Sequence, residues 1–194
     1  MNRMSILLLA GVAALASSAC NQRSNGPSTD STEASVPVTA PAADGLIGNP
    51  GFESASKAPW TTNVHANPQA YQFDLVSDVV ASGSHAVRIH GDGSEPWGGL
   101  MQYLAKPGLA GKTVVLSASV KADNVPGGVQ MLAIFRGTTA LPFEHTFTEL
   151  GASFDWQRIE QTFEVPANTT DIEIGLMQMG AGTLWLDDIT LVAR

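Results

Sequence analysis

Cysteine is the scarcest residue of this 194-residue chain, which contains only Cys20. A lone cysteine cannot form an intramolecular disulfide, so the fold must be stable without one. Charged residues make up only 14% of the chain, and 10 Lys and Arg against 18 Asp and Glu give a formal net charge of −8. Because phosphates and uronates are bound by clustered basic side chains, this balance argues against nucleic acid and anionic polysaccharide as partners.

The chain also lacks a long apolar run near its start. The run from Ile6 to Ala16 is shorter than the ~20 apolar residues that a membrane-spanning helix needs. Arg3 precedes it and small residues follow it, which is typical of a cleaved signal peptide. The segment that ends at Cys20 resembles the lipobox of bacterial lipoproteins, in which cleavage leaves the cysteine first and lipidated. Ser17 stands where that family prefers an aliphatic residue, so cleavage without lipidation remains an alternative.

The resemblance to lipoproteins implies a signal peptide over residues 1–19 and a lipid anchor on Cys20 as the only membrane contact. Asn21, in place of Asp, implies sorting to the outer membrane if the organism has two membranes. Residues 20–45 are rich in Ser, Thr, Pro, Ala and Gly and contain no aromatic residue. Such a segment cannot bury enough apolar surface to offset its ordering entropy, so we expect a flexible tether.

Residues 46–194 are predicted to form one all-β domain. From Thr113 to Lys121, apolar residues alternate with mostly small or polar ones, which is the period of a half-buried strand. Similar short runs cover residues 85–90, 128–136, 143–150, 157–165, 171–177 and 183–192, and Gly and Pro turns separate them. Many short strands in a domain of this size predict a two-sheet antiparallel β-sandwich of the jelly-roll type.

Several motifs occur in a recognisable order along this domain. They are Asn49-Pro-Gly-Phe-Glu53 followed by Trp60, then Gly83-Ser-His-Ala86, Trp156-Gln-Arg-Ile159 and Gly182-Thr-Leu-Trp-Leu-Asp-Asp-Ile189. This succession resembles that of CenC-type carbohydrate-binding modules over nearly all of residues 46–194. The resemblance implies a galactose-binding-like jelly roll, often with one structural calcium ion. It implies sugar binding less directly, because the fold serves many unrelated ligands.

Three carboxylates are candidate ligands for that calcium ion. Asp187 and Asp188 are adjacent within an apolar run, so pleat alternation turns one of them inward, where it needs a partner or a metal. If the first and last strands are neighbours, Glu53 can meet one of these aspartates and contribute to the all-oxygen shell that Ca²⁺ prefers. Hydrogen-bonded or exposed acids without a metal are the alternative.

Tryptophans are the candidate platforms for a sugar ring. Trp97 is set among turn formers, so we expect it to be exposed and to contact a sugar, although packing over one end of the sandwich is an alternative. Trp60 and Trp156 are predicted to be core residues. Trp185 alternates with leucines, and the sequence does not fix which sheet face it joins.

Polar and apolar side chains of two predicted strands are further candidates for ligand binding. Gln130 and Arg136 share one face of their strand, and Met177 shares a face of another with Asp171 and Glu173. A neutral glycan would use such amide and charged groups for its hydroxyls. The common alternative is that these are ordinary packing and surface residues.

Three functions are therefore open. The leading hypothesis is a non-catalytic carbohydrate-binding domain displayed at the bacterial envelope. The second is a structural or protein-interaction envelope domain without sugar binding, and the third is a small polysaccharide lyase or glycoside hydrolase on a jelly roll. The folded part contains no Gly-x-Ser-x-Gly or His-Glu-x-x-His motif, and no spacing of its glutamates selects a catalytic pair.

The anchor can be tested with Cys20→Ala. Without the thiol that accepts the lipid, we expect the protein to remain as an unprocessed precursor or to leave the membrane fraction. Cell fractionation and mass analysis of the N-terminus measure both, with Ser18→Ala as the matched control. Unchanged processing and membrane association of Cys20→Ala would contradict the prediction.

Overall fold

A computed structural model of the chain describes residues 45–105, 107–139, 143–148 and 150–194. The signal peptide, Cys20 and nearly all of the tether lie outside the described residues, so these remain predictions. Within the described ranges, the helical content is a single 3-10 turn, Pro68–Ala70, and no helix is long and apolar enough to cross a membrane.

The described part of the chain contains ten strands. They are β1 (Thr61–Val64), β2 (Tyr71–Val76), β3 (Ala86–Gly91), β4 (Trp97–Ala105), β5 (Thr113–Asp123), β6 (Val129–Gly137), β7 (Phe143–Thr148), β8 (Phe154–Glu164), β9 (Thr169–Met179) and β10 (Gly182–Ala193). All seven predicted strands are present. The sequence analysis did not identify β1, β2 and β4.

The strands form two antiparallel five-stranded sheets. The front sheet has the order β1-β4-β9-β6-β7, and the back sheet has the order β2-β3-β10-β5-β8. This confirms the predicted two-sheet sandwich. The calcium hypothesis assumed that the first and last strands are neighbours. They are not, because β1 pairs with β4 whereas β10 lies between β3 and β5.

Alternate residues of each strand fill the space between the sheets. In β5, the predicted inward residues Val114, Leu116, Ala118 and Val120 are all buried and belong to the main core cluster. Complete burial of a large aliphatic side chain contributes ~1.5–3 kcal/mol, so the interior fixes which side of each strand faces in. The remaining residues of each strand must then face outward.

A second apolar cluster lies outside this core, on the outward side of the front sheet. Its buried members are Met101, Leu132 and Met177, and half-buried Trp97, Ile134 and Met179 pack against them. The outward side of an antiparallel sandwich is usually polar. An apolar strip there marks this surface as a candidate site.

Candidate functional site

The front face is defined here as the outward side of the front sheet, and it carries all four predicted ligand-binding residues. Trp97 begins β4, Gln130 and Arg136 lie near opposite ends of β6, and Met177 lies in β9. Gln130 is directly opposite Met177 in the β6–β9 register. The structure therefore brings the four residues onto one surface, although whether they bind a ligand remains a prediction.

Trp97 does not stand in a turn, as the sequence suggested, but is the first residue of a strand. The two glycines after it, Gly98 and Gly99, are strand residues. Gly98 faces inward, where a Cβ would lie 2.5 Å from the ring of Tyr71, so a side chain there would displace that ring. On the outward side, the half-buried indole of Trp97 meets the ring of His65 edge-on, with centroids 6.0 Å apart.

The middle of the front face is a floor made by methionines. A Cβ on Gly99 would lie 2.7 Å from Cγ of Met177, and a Cβ on Gly175 would collide with the sulfur of Met101. These glycines thus leave the space into which the two methionines fold. Because thioether side chains adapt to irregular partners, this floor offers apolar contact without a rigid shape.

Tyr103 is a front-face aromatic residue that the sequence analysis missed. Its side chain is 55% exposed, and it lies six positions after Trp97 on the same strand. At roughly 3.3 Å per residue, about 20 Å separates the two positions along β4. Partial desolvation and a hydrogen bond with Asp171 raise the pKa of Tyr103. The signal was present, since Gln102, Tyr103 and Leu104 alternate, but the preceding glycines hid the strand.

Charged groups surround Tyr103 at this end of the front face. Arg136 donates to Glu173, and Glu173 is opposite Tyr103 in the β4–β9 register. Asp171 and Glu173 lie two residues apart on β9, so both emerge on one side of one strand. Glycoside hydrolysis usually needs two carboxyl groups that flank the bond to be broken, and here the carboxylate of Glu173 is engaged by Arg136.

Gln130 is a polar side chain among the apolar residues of the front face. It lies on the outward side of β6, is only 5% exposed and is directly opposite Met177 in the β6–β9 register. An amide in this position can bind a hydroxyl group of a bound molecule.

The predicted calcium ligands also converge, though by a different route from the one expected. Asp187 is fully buried, and its Oδ2 accepts the backbone N–H groups of Ala81 and Ser82 at 2.9 and 3.1 Å. Asp188 has a left-handed backbone conformation, with φ of 47°, at a β-bulge, so simple pleat alternation does not apply to the two aspartates. The inward carboxylate is therefore satisfied by backbone donors.

Glu53 is hydrogen-bonded to the loop before β3, the loop that also contains the Asp187 partners Ala81 and Ser82. Its Oε1 accepts the backbone N–H groups of Ser84 and His85 at 2.9 and 3.1 Å, and these bonds lower the pKa of Glu53. Burial raises the pKa of Asp187 to about 6, with a smaller contribution from the charge of Asp188.

Gly51 lies between the three acids. A Cβ on it would be 3.6 Å from Oδ1 of Asp187, 3.7 Å from Oδ1 of Asp188 and 3.8 Å from Cγ of Glu53. Among the described residues, no group of three or more His, Cys, Asp or Glu side chains is arranged as a set of metal ligands. The donor chemistry nevertheless suits a hard cation, because every side-chain donor is an oxygen and none of the acids pairs with Lys or Arg in the described ranges.

The other three tryptophans have three different environments. Trp60 is 4% exposed and packs on Phe52, which confirms the prediction of a core position. Trp156 is half-buried on the edge strand β8 and outside the main core cluster, so the corresponding prediction is wrong for it. Leu184 and Leu186 occupy the interior, and Trp185 between them therefore faces outward from the back sheet.

Comparison with solved structures shows that the fold is that of carbohydrate-binding modules. A family 61 module solved in complex with beta-1,4-galactotriose is 20% identical, with a TM-score of 0.56, and the match covers 77% of this chain and 98% of that one. A family 16 module is 21% identical, with a TM-score of 0.58 and coverage of 76% and 99%.

The enzymatically active domain of bacteriophage CBA120 tailspike protein 4 also contains this fold. That match has 11% identity and a TM-score of 0.61, and it covers 77% of this chain but 21% of the other. No family profile and no curated protein matches the sequence. At these identities the similarity establishes a jelly-roll sandwich and leaves the ligand to be argued from the residues.

Proposed function

We propose that this domain binds a neutral glycan chain on its front face and does so without catalysis. The observation that carries the proposal is the apolar strip outside the core, bounded along β4 by the aromatic rings of Trp97 and Tyr103. Met101, Leu132 and Met177 are themselves buried, and the aromatic groups that a ligand can reach are exposed Tyr103 and half-buried Trp97. Its span of about 20 Å suits an extended oligosaccharide.

The chemistry of a pyranose matches the groups on this face. Its apolar C–H side can stack on an indole or phenol ring and on the methionine floor. Its hydroxyl rim needs amide and charged groups, which Gln130 and Arg136 provide on β6. On the opposite edge, Asn63 of β1 is exposed and lies across from Gly99. The negative net charge of the chain further favours a neutral glycan over an acidic one.

The comparison with solved structures and the order of the sequence motifs also support glycan binding. One similar structure was solved with a galactotriose, and the motif order of residues 46–194 resembles CenC-type modules. We further propose that lipidated Cys20 and the tether of residues 20–45 display the domain at the cell envelope. The tether would reach about 25–30 Å, by the ~5–6 Å × √n rule for flexible linkers.

Three acids support a structural calcium ion as a second part of the proposal. Glu53, Asp187 and Asp188 would hold it with backbone carbonyl oxygens, and bound Ca²⁺ would supply positive charge that stabilises the fold. The carboxylates surround Gly51 and are compensated mainly by backbone donors, so a cation would relieve their mutual repulsion.

Glycan binding is tested with Tyr103→Ala and Trp97→Ala in the full-length protein. Calorimetric titration with soluble β-1,4-galactan and xylan should show affinity at least tenfold weaker for each variant, since a loss of ~1.4 kcal/mol in ring contact already has that effect. Tyr103→Phe keeps the ring and should bind nearly as well as the wild type. The melting temperature of Tyr103→Ala should be unchanged, because its side chain is exposed.

Two results would contradict the glycan-binding proposal. One is the absence of glycan binding by the wild-type protein. The other is equal binding by wild type, Tyr103→Ala and Trp97→Ala, which would move any sugar site away from the front face. Capture of a protein partner that is lost in Tyr103→Ala, without any glycan binding, would support the protein-interaction alternative instead.

Calcium is tested by melting the Ca²⁺-loaded protein with and without chelator. Binding to the folded state alone adds about 2.7 kcal/mol at a hundred times Kd, so chelator should lower the melting temperature. Glu53→Ala should abolish the difference, whereas Glu160→Ala, a surface acid on β8, should retain it. Equal melting of the wild type with and without chelator would exclude the site.

The effect of chelator should also depend on pH. Because the pKa of Asp187 is raised from 3.8 to about 6, the metal-free folded protein retains a proton there that the unfolded chain releases. On account of this group, the metal-free protein loses stability as the pH rises through that window. Calcium must displace the proton, so the chelator-induced shift should be larger at pH 7.5 than at pH 5.

A further inference from the structure

The back face, the outward side of the back sheet, carries a second group of ligand-type side chains. Directly opposite residues in antiparallel strands emerge on the same side of a sheet. Strands β2, β3 and β10 therefore present two rows of side chains across the face. The rows are Gln72 with His90 and Thr183, and Asp74 with Arg88 and Trp185.

Five of these six side chains line a cavity. Its volume is about 300 Å³, and its lining consists of Gln72, Arg88, His90, Thr183 and Trp185. Ligand pockets usually measure ~300–1,000 Å³, so this one is at the small end of the range. The volume suits one sugar ring rather than a length of chain.

Hydrogen bonds fix part of the lining and leave one donor unused. Nδ1 of His90 is 3.0 Å from Oγ1 of Thr183, and Nη2 of Arg88 donates to Oδ2 of Asp74 at 2.8 Å. The Nε atom of Arg88 is buried and has no acceptor in the described ranges. The Arg88 side chain as a whole is 42% exposed, so a ligand in the cavity can contact atoms of it other than Nε.

The aromatic group and the charges in this region indicate the class of ligand. Trp185 is half-buried, and its outward position offers an indole surface beside the amide of Gln72 and the hydroxyl of Thr183. The positive charge of Arg88 is balanced by Asp74, and that of Lys121, opposite Trp185 on β5, by Asp155 at 2.6 Å. Because no surplus positive charge faces the cavity, it suits a neutral sugar better than a uronate or a phosphate.

We propose that this cavity is a second sugar site that binds one neutral pyranose unit. Trp185 stacks on the apolar side of the ring, Gln72 and Thr183 bind its hydroxyl groups, and the exposed part of the Arg88 side chain contacts the sugar from β3. The site is separate from the front face, on the opposite sheet, and its existence does not depend on glycan binding there.

A domain with two sites on opposite faces would contact a polysaccharide differently from a domain with one. The front face would hold a stretch of chain, and the back cavity would hold a single unit such as a chain end or a branch. Two sites on one rigid body can bridge neighbouring chains and raise the overall avidity without any new contact.

The second site is tested by titrating the ¹⁵N-labelled full-length protein with D-galactose, D-glucose and D-xylose. The 4 tryptophans give four indole N–H signals in an NMR spectrum, which single Trp→Phe variants assign. We expect at least one of the three sugars to shift the Trp185 signal saturably while the Trp60 signal stays fixed. Gln72→Ala should weaken that binding at least tenfold, whereas Gln157→Ala, which removes an exposed amide from β8, should not.

The results separate the two sites. Tyr103→Ala should leave monosaccharide binding at Trp185 unchanged, and Trp185→Ala should remove it while galactan or xylan binding at the front face persists. If none of the three sugars shifts the Trp185 signal, or if binding is equal in Gln72→Ala and the wild type, the second site is overturned. A monosaccharide that shifts the Trp97 signal alone would also overturn it, yet would support the front face.

Discussion

Alternation of side chains along each strand is the constraint on which both candidate sites depend. The interior between the sheets takes Val87, Ile89, Leu184 and Leu186, so the residues between them must face outward. In β10 the residue forced out by this rule is Trp185. The same rule turns Met101, Tyr103 and Met177 outward on the front sheet. Core burial thus positions the ligand-type side chains, because a one-residue shift of any strand would move them inside.

One local exception to this alternation ties separate parts of the chain together. At the bulge of β10, Asp188 takes a left-handed conformation, and its carbonyl accepts a hydrogen bond from Arg158 at 3.0 Å. The next residue, Ile189, donates its N–H to the carbonyl of Pro50 at 2.9 Å, and Asp187 holds the loop that contains Ser82. The motif acids therefore first stabilise the turn before β1 and the loop before β3, with or without calcium.

Strands with regular alternation of apolar and polar residues could be predicted from the sequence. Features at which one or two residues interrupt that alternation could not. The alternation of β5 was sufficient to identify that strand, whereas Gly98 and Gly99 hid β4 and with it the outward position of Tyr103. Likewise, no local pattern reveals the bulge at Asp188. The back-face cavity was beyond reach for another reason: Gln72 and Thr183 meet only through the order β2-β3-β10, which a single sequence does not specify.

The length dependence of binding tests most directly the claim that the front face holds a glycan chain. Calorimetric titration of the full-length protein with galactan or xylan oligosaccharides of increasing length should show affinity that rises with each added unit. The rise should stop once the chain spans the ~20 Å from Trp97 to Tyr103, because further units meet no apolar surface. Absence of binding at every length, or affinity that does not depend on length, would contradict the account.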